Sequence, residues 1–452
     1  MIAEPKTTPL TYGRVIKTWW PLAASWALMG FELPVVSAIM ARLLDPVESL
    51  AAYGGIVFPL ALMIEGPVIM LLAASTALSK DWASYRLMYR FMMGLSFALT
   101  AIHAAIAFTP LYDALVIGFM KAPESIHEPG RIGLQIMTPW TWAIAYRRFQ
   151  QGVLIRYGHS GAVGIGTLAR LITNVSILAI GYWLGNVAGI VVGTAAVGCG
   201  VVAEAVYVGF RVRPVIREQL KPAKPLEVPL TMKKFLAFYV PLALTPLITL
   251  TAQPISALSI NRMPMAVESL AVIPVINGLS FFFRSFGFAY NEVVVALADY
   301  ARPLHKLTMT ACTIALGVTT AMVLFAATPL GDFYLGPVSN LKPMLVDLGK
   351  NGLWFVLFMP ALSVFLHFFQ GILVHSGRTI AVTEAVFINF VTMVTLLIVG
   401  IKHGAITGLY VGLGAHLTGN VLQTAWLWFR SRKSRLVFHR AALEESSNPK
   451  IS

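Results

Sequence analysis

Val47-Glu48-Ser49-Leu50-Ala51 returns unchanged as Val267-Glu268-Ser269-Leu270-Ala271. The same shift of about 220 positions carries Pro21-Leu22-Ala23 onto Pro241-Leu242-Ala243, Pro34 onto Pro254 and Arg42 onto Arg262. Further along, Thr109-Pro110-Leu111 answers Thr328-Pro329-Leu330, Gln151-Gly152 answers Gln370-Gly371, Gly158 answers Gly377, and Phe210-Arg211 answers Phe429-Arg430. The chain is a tandem duplication, each copy about 210 residues long.

A chain that is 57% hydrophobic and 12% charged, with a mean hydropathy of +0.74, holds more apolar surface than a water-soluble core of this size can bury. Its apolar runs of about 20 to 28 residues each cover a hydrocarbon layer of about 30 Å as a helix. They are apolar on both parities, which excludes the short alternating strands of a membrane barrel. Cys199 and Cys312 both lie inside apolar runs, so no disulfide framework is implied and both read as packing residues.

The first eighteen residues carry Lys6, Arg14 and Lys17 and read as a cytosolic lead-in, not a signal peptide. Spans 1 to 6 are expected at Trp19 to Met40, Leu50 to Leu78, Tyr89 to Phe108, Ile132 to Tyr146, Ala162 to Leu184 and onward to Gly209. The fourth extends inward through Leu154 if Arg147 and Arg148 are tolerated. Spans 7 to 12 follow at Phe235 to Leu258, Leu270 to Leu297, Leu307 to Ala327, Leu353 to Val374, Ile380 to Val399 and Gly404 to Phe429. The expected organisation is an N-terminal six-helix bundle over 1–210, a basic cytosolic linker over 211–232, a C-terminal six-helix bundle over 233–430 and a cytosolic tail over 431–452.

With the N-terminus inside, about 25 Lys and Arg fall in inner segments and about 7 in outer ones, with Arg170 and Arg284 left within the membrane. Both termini are therefore placed in the cytosol of a multi-pass protein of a cell membrane, plasma or bacterial inner. The net charge of +14 reads as this topological bias and an attraction to anionic lipid heads, not as a nucleic-acid footprint. An even number of spans per copy makes the repeat parallel. Two such bundles joined by one linker can rock about a site between them, the usual machinery of alternating access, so a transporter is the expected class.

Residues with a cost in the hydrocarbon layer are the candidate site. Glu32 in span 1, Glu65 in span 2 and Arg284 in span 8 fall near the midpoints of their helices, and the repeat sets Arg284 opposite Ile64, one position from Glu65. The planar guanidinium suits a carboxylate or phosphate substrate, and Glu65 could hold Arg284 in the empty state; a structural salt bridge is the alternative. Glu292, eight residues after Arg284 and two turns toward the cytosol, reads as a second carboxylate on the cleft wall or as an interface residue, while the neutral Asn291, Asn277, Gln253 and Asn261 suit a wet cleft or plain helix-to-helix hydrogen bonds. Arg170, with Asn174 one turn on, either snorkels inward or reaches the cavity. His103, His367 and His416 lack the i to i+4 pairing of a metal site, so packed or hydrogen-bonded histidines are expected and no metal. Glu204 and Glu384 read as interfacial. Pro34 and Pro254, at equivalent places in spans 1 and 7, are candidate hinges.

Signatures of soluble enzymes do not hold up. Gly164-Ile165-Gly166 has no preceding strand, His127-Glu128 lacks a second histidine, and no paired aspartates await a metal-bound diphosphate. No catalytic residue and no cofactor is expected. Gly404, Gly408 and Gly412, with Gly189 and Gly193 as first-copy counterparts, read as a smooth helix-packing stripe.

Phe31-Glu32, the run Asp45-Pro46-Val47-Glu48-Ser49-Leu50-Ala51-Ala52-Tyr53-Gly54, Gly66-Pro67, the stretch Pro254 to Glu268 and His403-Gly404-Ala405-Ile406-Thr407-Gly408-Leu409 look like the progressive ankylosis protein family. That family belongs to the multidrug, oligosaccharidyl-lipid and polysaccharide (MOP) exporter superfamily. The resemblance implies an all-α, V-shaped twelve-helix fold of the MATE type, with spans 1, 2, 7 and 8 lining a cleft. It also implies export of small organic anions, with citrate-like carboxylates, nucleotides and pyrophosphate as candidates. The loops are shorter and the linker simpler than in the family's vertebrate members. A monomer with a coupling proton or sodium ion fits this reading. The alternatives are a cation-coupled multidrug antiporter using Glu32 as its coupling carboxylate, and a lipid-linked sugar flippase, which typically has more than twelve spans.

Overall fold

The computed structural model describes residues 6–447 apart from 121, 123, 261, 302, 340 and 342; for 6–8, 33, 34, 47, 119, 253, 254, 267, 271 and 437–447 it describes the backbone alone. The fold is all-α and multi-pass. The first copy supplies α1 (Tyr12–Met40), α2 (Glu48–Leu78), α3 (Trp82–Phe108), α4 (His127–Arg156), α5 (Ser160–Leu184) and α6 (Gly189–Leu220). The second supplies α7 (Met232–Ile260), α8 (Glu268–Leu297), α9 (Pro303–Ala327), α10 (Pro343–His375), α11 (Ile380–His403) and α12 (Gly408–Ser447). Ten of these are long and apolar enough to cross a membrane. The other two, α4 and α12, are long enough but less apolar, α4 carrying Arg147 and Arg148 and α12 carrying His416, Asn420 and Gln423 before its basic extension. A two-residue strand β2 (Tyr300–Ala301) pairs in parallel with β1 (Lys6–Pro9).

Packing divides the chain into two compact units, one of 31–243 and one of 1–30 with 244–452. Each unit therefore borrows the start of the other copy's first helix. Trp19 Nε1 donates to the carbonyl of Phe286 at 2.9 Å, and Tyr239 donates its hydroxyl to the carbonyl of Pro67. Phe235 and Tyr239 also stack, and both meet the edge of Phe91. Within the first unit α4 lies inside, against α2, α3 and α6; in the second α10 takes the same place, against α8, α9 and α12. An inner helix need not be apolar on its surface, and so α4 continues as helix through Arg147, Arg148 and on to Arg156.

The duplication holds to the level of single hydrogen bonds. Gly189 N–H donates to the carbonyl of Leu44 at 2.9 Å, and Gly408 N–H to that of Pro264 at 3.0 Å. Asp45 and Met265, which open the second span of each copy, both take the left-handed conformation, φ 50° and 53°. Gly185 and Gly404 close α5 and α11 at φ 69° and 66° and return their N–H groups to Gly181 and Gly400, a helix end that glycine reaches without steric cost. A Cβ on Gly152 would meet the Leu72 carbonyl at 2.6 Å, and one on Gly371 the Asn291 carbonyl at 2.9 Å.

These pairs show a shift of 220 up to Asp45 and Met265 and of 219 beyond α2. The extra residue of the first copy coincides with the π-helical turn Tyr53–Val57, where one residue is inserted without breaking the helix. The correction matters at the site: Arg284 is the counterpart of Glu65 itself, not of Ile64.

Three further expectations change. The helix expected to end near Gly209 runs on through Leu220, and α12 runs on through Ser447. Cys199 and Cys312 are exposed on the helix surfaces instead of packed inside.

Candidate functional site

In the first unit, residues of α4, α5 and α6 converge with Glu32 of α1. Arg147 and Gln151 share one face of α4, four residues apart; Thr167, Arg170 and Asn174 line one face of α5 at helical spacing. Glu204 of α6 stands between them. Its Oε2 accepts from Arg147 Nη1 at 2.9 Å and lies 3.8 Å from Arg170 Nη1, while Oε1 accepts from Gln151 Nε2 at 2.9 Å and from the Thr167 hydroxyl at 3.5 Å. On its far side Arg170 Nε donates to Glu32 Oε1 at 3.0 Å, its Nη2 pairs with Oε2, and Asn174 donates to Oε1 as well. Glu204 is fully buried, and the side chains around it are within a few per cent of that. The helices reach this closeness because Gly200 carries no Cβ, which would lie 3.1 Å from the Arg170 carbonyl and collide with Asn174.

Glu65 is buried at the end of the α-helical stretch Phe58–Glu65, its Oε2 without a hydrogen-bond partner. The cations acting on it are Arg148, Arg147 and Arg170. The Tyr53 hydroxyl is buried, lacks a hydrogen-bond partner and feels both Glu32 and Arg170. The first unit thus holds Glu32, Arg170, Glu204 and Arg147 in one buried, hydrogen-bonded network, with Glu65 beside it under the charge of Arg148, Arg147 and Arg170. Charges taken out of water at this depth persist only when each is paired.

The second unit has diverged from this arrangement position by position. Leu366 stands for Arg147, His367 for Arg148, Asn389 for Arg170, Met393 for Asn174, Gln423 for Glu204 and Ala252 for Glu32; Gln370 alone repeats Gln151. Asn389 Nδ2 donates to Gln423 Oε1 at 2.6 Å, a neutral contact where the first unit has Arg170 and Glu204. One charge stands in this neutral setting. Arg284 lies with its guanidinium carbon 5.5 Å from the centre of the Phe288 ring, and its buried Nε has no hydrogen-bond partner. Among the described residues no ion pair holds it. His367, edge-on to Phe288 with ring centres 5.3 Å apart and Nδ1 2.7 Å from the Ser363 carbonyl, and His416 of α12 are the titratable groups that feel its charge.

The expected residues are thus distributed over both units. Glu32, Glu65, Arg170 and Asn174 fall in the first; Arg284, Glu292, Asn291 and Asn277 fall in the second. Asn291 and Glu292 are buried neighbours joined at 3.2 Å, and Asn277 is exposed on α8. Asn261 and the side chains of Gln253, Pro34 and Pro254 lie outside the described residues. Arg170 does not snorkel; it is held by Glu32. Glu204, expected at the interface, is the centre of the buried network. Glu384 is half-exposed and pairs with Arg430 while accepting from Trp426 Nε1 at 3.1 Å. His103 is a fully buried hydrogen-bonding histidine between Thr141 and the Leu134 carbonyl. Arg147, Gln151, Thr167 and Tyr53 were not singled out, although polar residues four apart in an otherwise apolar span mark an inward face. Among the described residues no His, Cys, Asp or Glu group gathers as a metal ion requires.

No family model matches the chain, and no curated protein matches it. Solved structures do. An outward-facing multidrug resistance MATE family transporter of the MOP superfamily superposes with a TM-score of 0.74 at 15% identity, over 95% of this chain and 96% of that one. A MOP superfamily transporter from Pyrococcus furiosus, described by the reverse polarity of its binding pocket, gives 0.73 at 14% identity, over 94% and 96%. A Vibrio cholerae MATE transporter in its bent form gives 0.70 at 16% identity, over 95% and 98%. At these identities the likeness is one of architecture, and it extends over nearly the whole chain: the protein has the twelve-helix fold of the MATE transporters of the MOP superfamily.

Proposed function

We propose that the protein is an alternating-access membrane transporter that exports small organic anions, with Arg284 as the group that receives them. The observation that carries this reading is the contrast between the units. Every carboxylate that touches Arg170 is neutralised in the first unit, whereas in the second the half-buried Arg284 has neutral neighbours and an unused donor, its enclosed Nε. An anion with two coplanar oxygens, a carboxylate or phosphate, satisfies both needs at once. The resemblance to the progressive ankylosis family narrows the candidates to citrate-like carboxylates, nucleotides and pyrophosphate. A transporter of this fold is described by the reverse polarity of its binding pocket, which is compatible with different pocket characters on one architecture. The Glu32, Arg170 and Glu204 chain is then the place for a coupling proton or sodium ion, because neutralising Glu32 releases Arg170 from its tightest partner.

Cation-coupled multidrug antiport is the second reading, favoured by the fold shared with a multidrug resistance transporter and by the placement of Glu32 in α1. Uptake into proteoliposomes separates the two, using citrate, malate, nucleotides, pyrophosphate and cationic dyes. Anion uptake lost in Arg284→Gln and kept in Glu384→Gln supports the proposal. Dye uptake that survives Arg284→Gln and fails in Glu32→Gln would replace it with the antiporter.

A further inference from the structure

The second unit carries a groove that the transport reading leaves unused. About 550 Å³ in volume, it is lined by Leu304 of α9 and by Trp428, Phe429, Arg432, Arg435 and Leu436 of α12. Its position follows from helix length. Forty residues of α12 span about 60 Å, twice the hydrocarbon thickness, so a helix that enters the membrane near Gly408 leaves it after about 20 residues. Trp428 and Phe429 then stand at the interfacial depth where aromatic rings collect, and Arg430, Arg432, Lys433 and Arg435 stand among the headgroups.

The groove has two chemistries. Trp428, Phe429 and Leu436 are each at least half exposed, a larger apolar display than a helix facing water sustains. At its rim Arg435 is clamped between the rings of Trp428 and Phe369, 5.5 and 5.3 Å from their centres, and donates to the Trp428 carbonyl at 2.9 Å. Its Nε is buried and lacks a partner. Burial, and then the charge of Arg432, push the Arg435 guanidinium below its ordinary pKa, so an anion between the two would relieve both. The geometry points to a binding site for one anionic phospholipid, its phosphate held between Arg432 and Arg435 and its acyl chains running back toward the hydrocarbon over Trp428 and Phe429. Basic pockets beside membrane helices select anionic headgroups in this way, and the apolar floor commits the site to a lipid and not to free phosphate.

The full-length protein, delipidated in detergent, tests this by native mass spectrometry and by thermal unfolding. Phosphatidylglycerol should remain as one tightly bound lipid and raise the unfolding temperature. Phosphatidylcholine of the same acyl chains, and inorganic phosphate, should do neither. Arg432→Gln with Arg435→Gln should lose the bound lipid and the thermal shift. Arg432→Gln alone, at an exposed position where misfolding is not expected, should weaken binding about tenfold. Equal retention of phosphatidylcholine, a thermal shift from phosphate alone, or unchanged phosphatidylglycerol binding in both variants overturns the proposal.

Discussion

Replacing Glu204 by Gln removes one charge from a network in which neither partner can find water. Arg147 and Glu204 are 2.9 Å apart with side-chain exposures of 3% and 0%. At that separation and an effective dielectric of about 20 the Coulomb attraction is about 6 kcal/mol. Losing one partner of a buried pair typically costs about 3–5 kcal/mol, because the other charge stays behind. Glu204→Gln should therefore cost about 3–5 kcal/mol, and Arg147→Leu a similar amount, read by unfolding in mixed detergent micelles. The second unit supplies the compensated version, with Leu366 and Gln423 at the equivalent positions. The double variant Arg147→Leu with Glu204→Gln should accordingly be more stable than either single variant, with a coupling energy of about 2–3 kcal/mol. Strict additivity of the two changes would refute the account of the network as mutually dependent charges.

Other substitutions separate function from stability. Arg284→Leu should abolish anion uptake while leaving the unfolding temperature unchanged or higher, since it removes a half-buried charge that has no ion pair among the described residues; a large loss of stability would show that the side chain is structural. Gly152→Ala sets a Cβ 2.6 Å from the Leu72 carbonyl and should cost about 1–3 kcal/mol, whereas Gly94→Ala, with open space around it, should gain up to about 1 kcal/mol. Both are measurable by thermal melts. Asp81 caps α3 through Ser84. Burial would raise its carboxyl, but hydrogen bonds from the Ser84 hydroxyl and from the Leu226 and Ser84 amides hold it below the usual carboxylate range. A lowered folded value means the cap contributes in full above about pH 4 and is lost as the pH falls through that value. The wild type should therefore be about 1 kcal/mol more stable than Asp81→Ala at pH 7 and lose that advantage in acid.

Much of the architecture is legible in the sequence because a duplication writes its own alignment. Val47 to Ala51 and its copy set the frame, and the hydropathy runs set the helices. The frame slips by one at the π-helical turn Tyr53–Val57, a change too small to see among apolar residues, and that slip concealed the match of Glu65 with Arg284. The site was less legible for a different reason. Arg147 and Arg148 look like the end of a span when only hydropathy is read, since a sequence does not say which helix is inside its unit. Glu204 looks interfacial for the same reason: its depth along α6 is visible, whereas its partner on α4 is not. Arg170 and Glu32 are 138 positions apart, and only packing brings them together.

The two copies solve one electrostatic problem in opposite ways, and the difference bears on what each can do. Glu32 and Glu204 are paired with Arg170 and Arg147 inside the first unit, so it can pack around these four charges with little water, while Glu65 stands beside them without a hydrogen-bond partner. The first unit changes state only when a proton, ion or substrate disturbs the balance at Glu32 or Glu65. Arg284 in the second unit has no such internal partner. Arg284 is half-buried with an enclosed, unpartnered Nε, and a guanidinium among neutral groups persists only where water or an anion reaches it. On the transport reading this part of the second unit is the one that solvent and anions enter. The prediction is directional: labelling of Arg284→Cys by a water-soluble thiol reagent should be fast and slowed by the transported anion, whereas Glu204→Cys should resist labelling. Equal protection of both positions, with and without anions, would mean that the guanidinium sits in a dry seam and that the asymmetry between the copies is structural.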